Sequence, residues 1–161
     1  MSALLVFSLV LTLAPPPSGE VVVKMGTEGL RPDETVVYLS GHFAPYLLVP
    51  AERHIPLSQK GARFTPLVLP ILVGSKVDMS NDDSLTHNVF SESHLSTFDT
   101  GYYAIGSRRI VIFKTPGLID IHCGIQPQMD GWVLVLPSPF FLSQTPKAKS
   151  FSGASPWVPI C

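Results

Sequence analysis

Two stretches of this chain hold residues that can do chemistry together. One is Asp120-Ile121-His122-Cys123-Gly124-Ile125-Gln126-Pro127-Gln128-Met129-Asp130-Gly131; the other is Asn81-Asp82-Asp83-Ser84-Leu85-Thr86-His87-Asn88-Val89-Phe90-Ser91. They supply an imidazole, a thiolate and a thioether, in that order. Soft sulfur donors combined with imidazole nitrogen select copper among the biological metals. Cys123 and Met129 are separated by a loop short enough for both sulfurs to reach one atom. Position 126, midway between them, is Gln126. Pro127 stiffens the loop, and Gly124 and Gly131 permit its tight ends. His87 precedes Cys123 by 36 residues, enough to come from a different strand. Taken singly, a cysteine or a methionine is more often core filling, and a histidine is often a satisfied core residue. The combination, in this order and spacing, favours a metal site.

A rigid scaffold has to hold such ligands, and the chain reads as β structure. Sixteen prolines and twelve glycines, with no long 3.6-residue period, point to strands joined by turns. Val21 to Met25 and Thr35 to Leu39 read as short strands, followed by a polar connection from Pro50 to Lys60. Pro70, inside an apolar run, suits an edge strand or a bulge. Lys76 to Ser80 alternates, with Val77 and Met79 on one face. His87 to Phe90 reads as a short strand, and Ser91 to Gly106 as a loop. Arg109 to Lys114 reads as a strand buried on both faces. In the strand Leu118 to Cys123, the period of two puts Ile119, Ile121 and Cys123 on one face and Asp120 and His122 on the other. Gly131 to Leu136 has no polar alternation and reads as a central strand. Six to eight strands spaced by turns argue an all-β sandwich.

The totals bound the rest. The chain of 161 residues suffices for one domain with a real core plus flanking segments. Its net charge is −1 with Lys and Arg scattered, which argues against a nucleic-acid surface. Hydrophobic residues at 45% and charged residues at 14% exclude a disordered chain. The apolar run from Met1 to Ala14, ending before Pro15-Pro16-Pro17-Ser18-Gly19, is too short to span a bilayer. It fits a secretory signal peptide and therefore export to a periplasmic or extracellular location; the alternative is an N-terminal strand. Two cysteines, Cys123 and Cys161, could form one disulfide. A thiol kept reduced in an oxidising compartment needs a reason, and metal ligation is one.

Residues Pro66 to about Phe141 closely resemble a cupredoxin domain of the plastocyanin/azurin type, and most nearly the exported methylamine-utilisation-type group. The resemblance is carried by Phe64-Thr65-Pro66, Val73-Gly74-Ser75, Asn81-Asp82, Thr86-His87-Asn88-Val89-Phe90-Ser91, Phe98-Asp99, Gly101-Tyr102, Pro116-Gly117, Cys123, Pro127-Gln128-Met129 and Val133-Leu134-Val135-Leu136. It implies a Greek-key β-sandwich with an N-terminal β extension. It also implies copper ligation by His87, Cys123, residue 126 and Met129, with Asn88 bracing the thiolate loop. The family has histidine at the third ligand position, and this chain has Gln126. An amide oxygen is a harder, poorer donor to Cu(I) than imidazole nitrogen. Copper could bind with Gln126 or water completing the site; His94 or His122 could swing in, although His122 should face away; or the site could have been lost.

The domain map that follows is 1–19 signal peptide, 20–60 N-terminal β extension, 61–142 cupredoxin-like domain and 143–161 irregular tail. The leading function is a non-enzymatic copper protein that exchanges one electron with a redox protein partner at the end carrying the Cys-to-Met loop. The alternatives are a copper-free cupredoxin-like domain used structurally or for protein interaction, and copper storage or delivery. Five histidines are too few for a multicopper oxidase cluster. A cysteine nucleophile lacks a base, because His122 should face away. Zinc is disfavoured by the thioether. Asp78, Asp82 and Asp83 could suggest calcium, but a solvated turn reads better.

Overall fold

The computed structural model describes residues 7–9, 35–39, 54–138 and 140–143. Among the described residues there are twelve strands and no helix. Two sheets face each other. The first has five strands in the order β5 (Val68–Leu72), β11 (Asp130–Leu136), β10 (Gly117–His122), β7 (Phe90–Ser91), β8 (Phe98–Asp99). The second has four, in the order β4 (Phe64–Thr65), β3 (Ile55–Gln59), β6 (Lys76–Asn81), β9 (Arg108–Ile112). Alternation along each strand sends every second side chain inward. Leu69, Ile71, Ile119, Ile121, Val133 and Val135 from the first sheet meet Leu57, Val77, Met79 and the following Phe113. Most of these are fully buried, and this cluster is the core.

A third, three-stranded sheet joins β1 (Phe7–Leu9), β2 (Val36–Leu39) and β12 (Phe141–Ser143). It covers part of the outer face of the first sheet. Val36 packs there with Val68, Leu134 and Leu136 in a second apolar cluster. β11 is therefore apolar on both faces, which explains why its sequence lacks polar alternation. It lies between β5 and β10, as a central strand should. Pro70 lies on the edge strand β5, whose partner is β11. A residue without an N–H costs nothing on the unpaired side of such a strand.

Four local expectations are corrected. The polar connection from Pro50 to Lys60 contains β3, which pairs in parallel with β6 over Ile55 to Gln59. Its apolar signal is confined to Ile55 and Leu57, because polar Ser58 and Gln59 complete the strand. The run from Arg109 to Lys114 is not buried on both faces: β9 is an edge strand, and Ile110 and Ile112 are 54% and 45% exposed. Only Val111 and Phe113 turn toward the core. The strand expected from His87 to Phe90 narrows to Phe90–Ser91, preceded by an isolated bridge between His87 and Tyr103. The loop from Ser91 to Gly106 holds the short strand β8. The expected strand at Val21 to Met25 lies outside the described residues, as does Cys161.

Candidate metal centre

The core-facing side of β10 ends at Cys123, whose thiol is free and only 2% exposed. Its loop closes on itself. The Cys123 N–H donates to the Met129 carbonyl at 3.3 Å, and the Met129 N–H donates to the Gln126 carbonyl at 2.8 Å. The Met129 side chain is 1% exposed and belongs to the same apolar cluster as Cys123, Val89 and Tyr103. Gln126 Oε1 is buried and has no hydrogen-bond partner.

His87 enters from the other side. Two backbone hydrogen bonds pair it with Tyr103, His87 N–H to Tyr103 O at 3.3 Å and Tyr103 N–H to His87 O at 2.8 Å. The ring is fully buried, and Nδ1 lies 3.3 Å from Cys123 Sγ. The opposite nitrogen, Nε2, lies 3.1 Å from Asp83 Oδ2. Asp83 is itself fixed by the N–H groups of Ala62, at 3.1 Å, and Ser84, at 2.8 Å. These two N–H bonds, with His87 behind them, lower the Asp83 carboxyl to about 2, so it is ionised near neutrality. An ionised carboxylate accepts a hydrogen bond from Nε2–H and so holds the ring with Nδ1 toward the sulfur.

The thiol responds to the same surroundings. Burial alone would raise its pKa. The hydrogen bond with His87 and the backbone N–H groups of Asn88, Ile125 and Gln126 outweigh burial, and the net shift is downward. That favours the thiolate, the form that binds metals. Burial likewise pulls His87 toward its neutral form, but hydrogen bonds to Cys123 and Asp83 prevail and raise it. Asn88 holds the loop in register: its Oδ1 accepts the Gly124 N–H at 2.8 Å. A Cβ at Gly124 would come within 3.2 Å of that oxygen, so a larger residue would push the Asn88 amide back by a few tenths of an ångström.

The structure thus brings His87 and Cys123 into contact and folds Gln126 and Met129 into the same loop. The two other histidines proposed as substitutes do not join them. His94 is exposed in the turn between Ser93 and Ser96. His122 faces outward, as the period of two requires, with Nδ1 2.8 Å from Asp130 Oδ1 and Nε2 3.0 Å from Asp120 Oδ2. Asp83 was missed in the sequence. It was read with Asp78 and Asp82 as a solvated turn, yet the three point to different partners: Asp78 to Arg108, Asp82 to Ser58 and Ser80, Asp83 to His87. The spacing of Asp83 four residues before His87 was the available signal. Among the described residues no group of three or more His, Cys, Asp and Glu side chains could hold a metal ion. Any metal here must therefore use the thioether or the amide.

The expectation that Cys123 lacks a base is also corrected. Cys123, His87 and Asp83 have the connectivity of a nucleophile, base and orienting acid. The thiol and the imidazole are buried at 2% and 0% exposure. The sulfur and the ring are thus shielded from solvent by the surrounding packing.

No protein-family model and no curated protein matches the sequence. Solved structures do match. A purple cupredoxin from Nitrosopumilus maritimus is 26% identical, over 51% of this chain and 99% of its own, with a TM-score of 0.48. A copper-containing nitrite reductase from Thermus scotoductus is 24% identical over 60% of this chain, with a TM-score of 0.51, and the match spans 27% of the reductase. A reduced mutant of amicyanin is 22% identical over 53% of this chain and 85% of its own, with a TM-score of 0.50. With the sheet order described above, the likeness to the reductase and amicyanin defines the architecture. The domain is a cupredoxin-like β-sandwich.

Proposed function

We propose that this domain is a one-electron carrier that holds a single copper ion through His87, Cys123 and Met129, with Gln126 as the fourth donor. The observation that carries the reading is the buried pair of His87 Nδ1 and Cys123 Sγ, 3.3 Å apart, with a buried, partnerless Gln126 Oε1 in the loop that follows Cys123. A buried acceptor without a donor costs about 1–3 kcal/mol, and a cation removes that cost. Imidazole nitrogen, thiolate and thioether are the donors copper prefers, and the sulfurs keep Cu(I) and Cu(II) both accessible. When bound, copper would supply a one-electron couple. The chain's part is to fix the imidazole through Asp83, hold the loop through Asn88 and exclude water. The copper-binding reductase and the Cu(I) amicyanin among the similar structures support the choice of metal. A leader in the apolar run from Met1 to Ala14 would carry the protein to a periplasmic or extracellular location, with a redox protein as partner. Phe7–Leu9 within that run pairs with β2 as β1, which favours the alternative reading of the run as an N-terminal strand. Ile125, 42% exposed in the Cys-to-Met loop, supports contact at that end. Among the described residues no helix is long and apolar enough to cross a membrane.

One observation favours a copper-free structural or interaction domain instead. Both nitrogens of His87 already have protein partners, so the pair is satisfied without a metal. Addition of Cu(II) to the purified protein separates the readings. The carrier reading requires stoichiometric copper and an intense thiolate-to-copper visible band that is lost in Cys123→Ala. A colourless protein that takes up no copper would leave the copper-free reading standing. Gln126→His should tighten binding, since imidazole replaces a harder oxygen donor. An unchanged affinity and spectrum would place residue 126 outside the coordination sphere.

A further inference from the structure

We propose that the open edge of β9 takes an added strand from another protein, an extended segment with valine or isoleucine at two alternate positions and a glutamate or aspartate two residues beyond each. The proposal does not depend on the carrier reading and needs no copper.

Among the described residues β9 pairs with β6 alone and ends the four-stranded sheet. The Asn81 N–H donates to the Ser107 carbonyl at 3.0 Å, and the Phe113 N–H donates to the Ser75 carbonyl at 3.2 Å. Ser107 and Phe113 stand an even number of residues apart, and the register between them is unbroken. Along an antiparallel pair, backbone groups alternate between facing the partner strand and facing away. Arg109 and Val111 therefore bond to β6, while the N–H and C=O groups of Ile110 and Ile112 point to the open edge. The Arg108 carbonyl points the same way but accepts from the Arg109 guanidinium at 3.0 Å, so the open run begins at Ile110. The Ile110 and Ile112 side chains are largely exposed, and the register sets them opposite Asp78 and Lys76 on the outer face.

An edge of this kind pairs with extended chains unless charge or proline blunts it. Here charge selects the occupant. Arg108, Lys114 and, on the neighbouring strand, Lys76 are exposed cations on or beside the edge. Arg109 adds another, over the Tyr103 ring. The strands of this sheet carry one carboxylate, Asp78, and Arg108 Nη1 already holds its Oδ2 at 2.6 Å. A second copy of this chain is a poor occupant. Two β9 edges paired antiparallel about Ile110 would set Arg108 of one copy opposite or diagonal to Lys114 of the other, and like charges so placed are destabilising. An acidic strand reverses the sign. Two β-branched side chains would cover Ile110 and Ile112, and an acidic residue at each end would meet Arg108 and Lys114. Main-chain bonds to Ile110 and Ile112 supply affinity, and the alternate side chains supply selectivity. Opposite charge on the two partners speeds their association.

The probe is a synthetic peptide, acetyl-Glu-Thr-Val-Thr-Val-Thr-Glu-amide, titrated into the isotopically labelled full chain. Saturable NMR shifts should centre on residues 108–114. Amide exchange should slow at Ile110 and Ile112 and stay unchanged at Arg109 and Val111, which β6 already holds. The same peptide with lysine at both ends should bind at least about tenfold more weakly. Ile110→Pro removes the edge donor without breaking a bond to β6, so the sheet should tolerate it while peptide affinity falls at least about tenfold. Ile110→Glu keeps the donor and adds a repelling charge; it should weaken binding to a similar degree, and it carries the test if the proline variant loses signal dispersion. Shifts centred elsewhere, no saturable shift, equal affinity for the two peptides, or wild-type affinity in the folded variants overturns the proposal. Sedimentation velocity decides the second copy. The chain alone should remain monomeric at low salt, and a dimer that disappears in Ile110→Pro would overturn the proposal in favour of self-pairing.

Discussion

Asp83 decides which nitrogen of His87 faces the sulfur. Two backbone N–H groups keep its carboxylate charged, and that carboxylate holds the Nε2 end of the ring. Ala62, which supplies one of those groups, adopts a left-handed φ of 56°. That conformation is uncommon for a residue with a side chain. The turn around Gly61 and Ala62 thus aims a donor at the carboxylate that steadies the ring. If the carrier reading holds, Asp83→Asn should weaken copper affinity by about 10–100-fold, as loss of a ligand's hydrogen-bonded carboxylate does elsewhere. A competitive chelator titration measures this, with the melting temperature as the folding control. An unchanged affinity in a folded variant would remove Asp83 from the site.

At the scale of elements, two joints fix where the loop begins and ends. Gly131, on β11 just after the Cys-to-Met loop, faces Phe64 on β4, and an added Cβ would fall 2.9 Å from Phe64 Cδ2. Phe64 is 2% exposed and cannot retreat into solvent. Gly131→Ala should therefore destabilise the fold by about 1–3 kcal/mol through overpacking. Chemical denaturation would show it, and a variant as stable as wild type would mean that Phe64 moves freely. The second joint is Asp82, which accepts hydrogen bonds from Ser58 on β3 at 2.6 Å and Ser80 on β6 at 2.7 Å. These bonds lower its pKa below the ordinary 3.8. A depressed carboxyl stabilises the fold above the unfolded pKa, and the contribution is lost as pH falls through the folded one. Wild type should melt higher than Asp82→Asn at neutral pH, and the two should converge as pH drops below about 3.8. A gap that persists into acid would show that the carboxylate's charge is not what joins the strands.

In the whole molecule, the five-stranded sheet is covered on both sides. Its inner face meets the four-stranded sheet, and part of its outer face meets the small sheet containing β2. The inner cluster is far larger, so equivalent truncations should cost different amounts. Ile119→Ala, at 0% exposure in the inner cluster, should cost about 3–5 kcal/mol. Leu134→Ala, at 6% exposure under the small sheet, should fall near the lower end of the same series, about 2–3 kcal/mol. Equal losses in urea unfolding would mean that the small sheet is as tightly packed as the core.

Alternation along Leu118 to Cys123 was enough to send Cys123 inward and His122 outward, because side-chain direction in a strand follows from position parity alone. Spacing was enough to put Cys123, Gln126 and Met129 in one short loop. The all-β class followed from turn residues and short apolar runs. What depended on register between distant strands was not legible. β3 was hidden because its polar residues are buried by neighbours on β6 and by Tyr103. Ile110 and Ile112 looked like core because nothing local says that β9 is an edge. The bond from Asp83 to His87, the orphaned Gln126 oxygen and the cationic edge of β9 each depend on which chain segments meet through folding. Local sequence sets which way a side chain points, and only tertiary packing sets what it meets there.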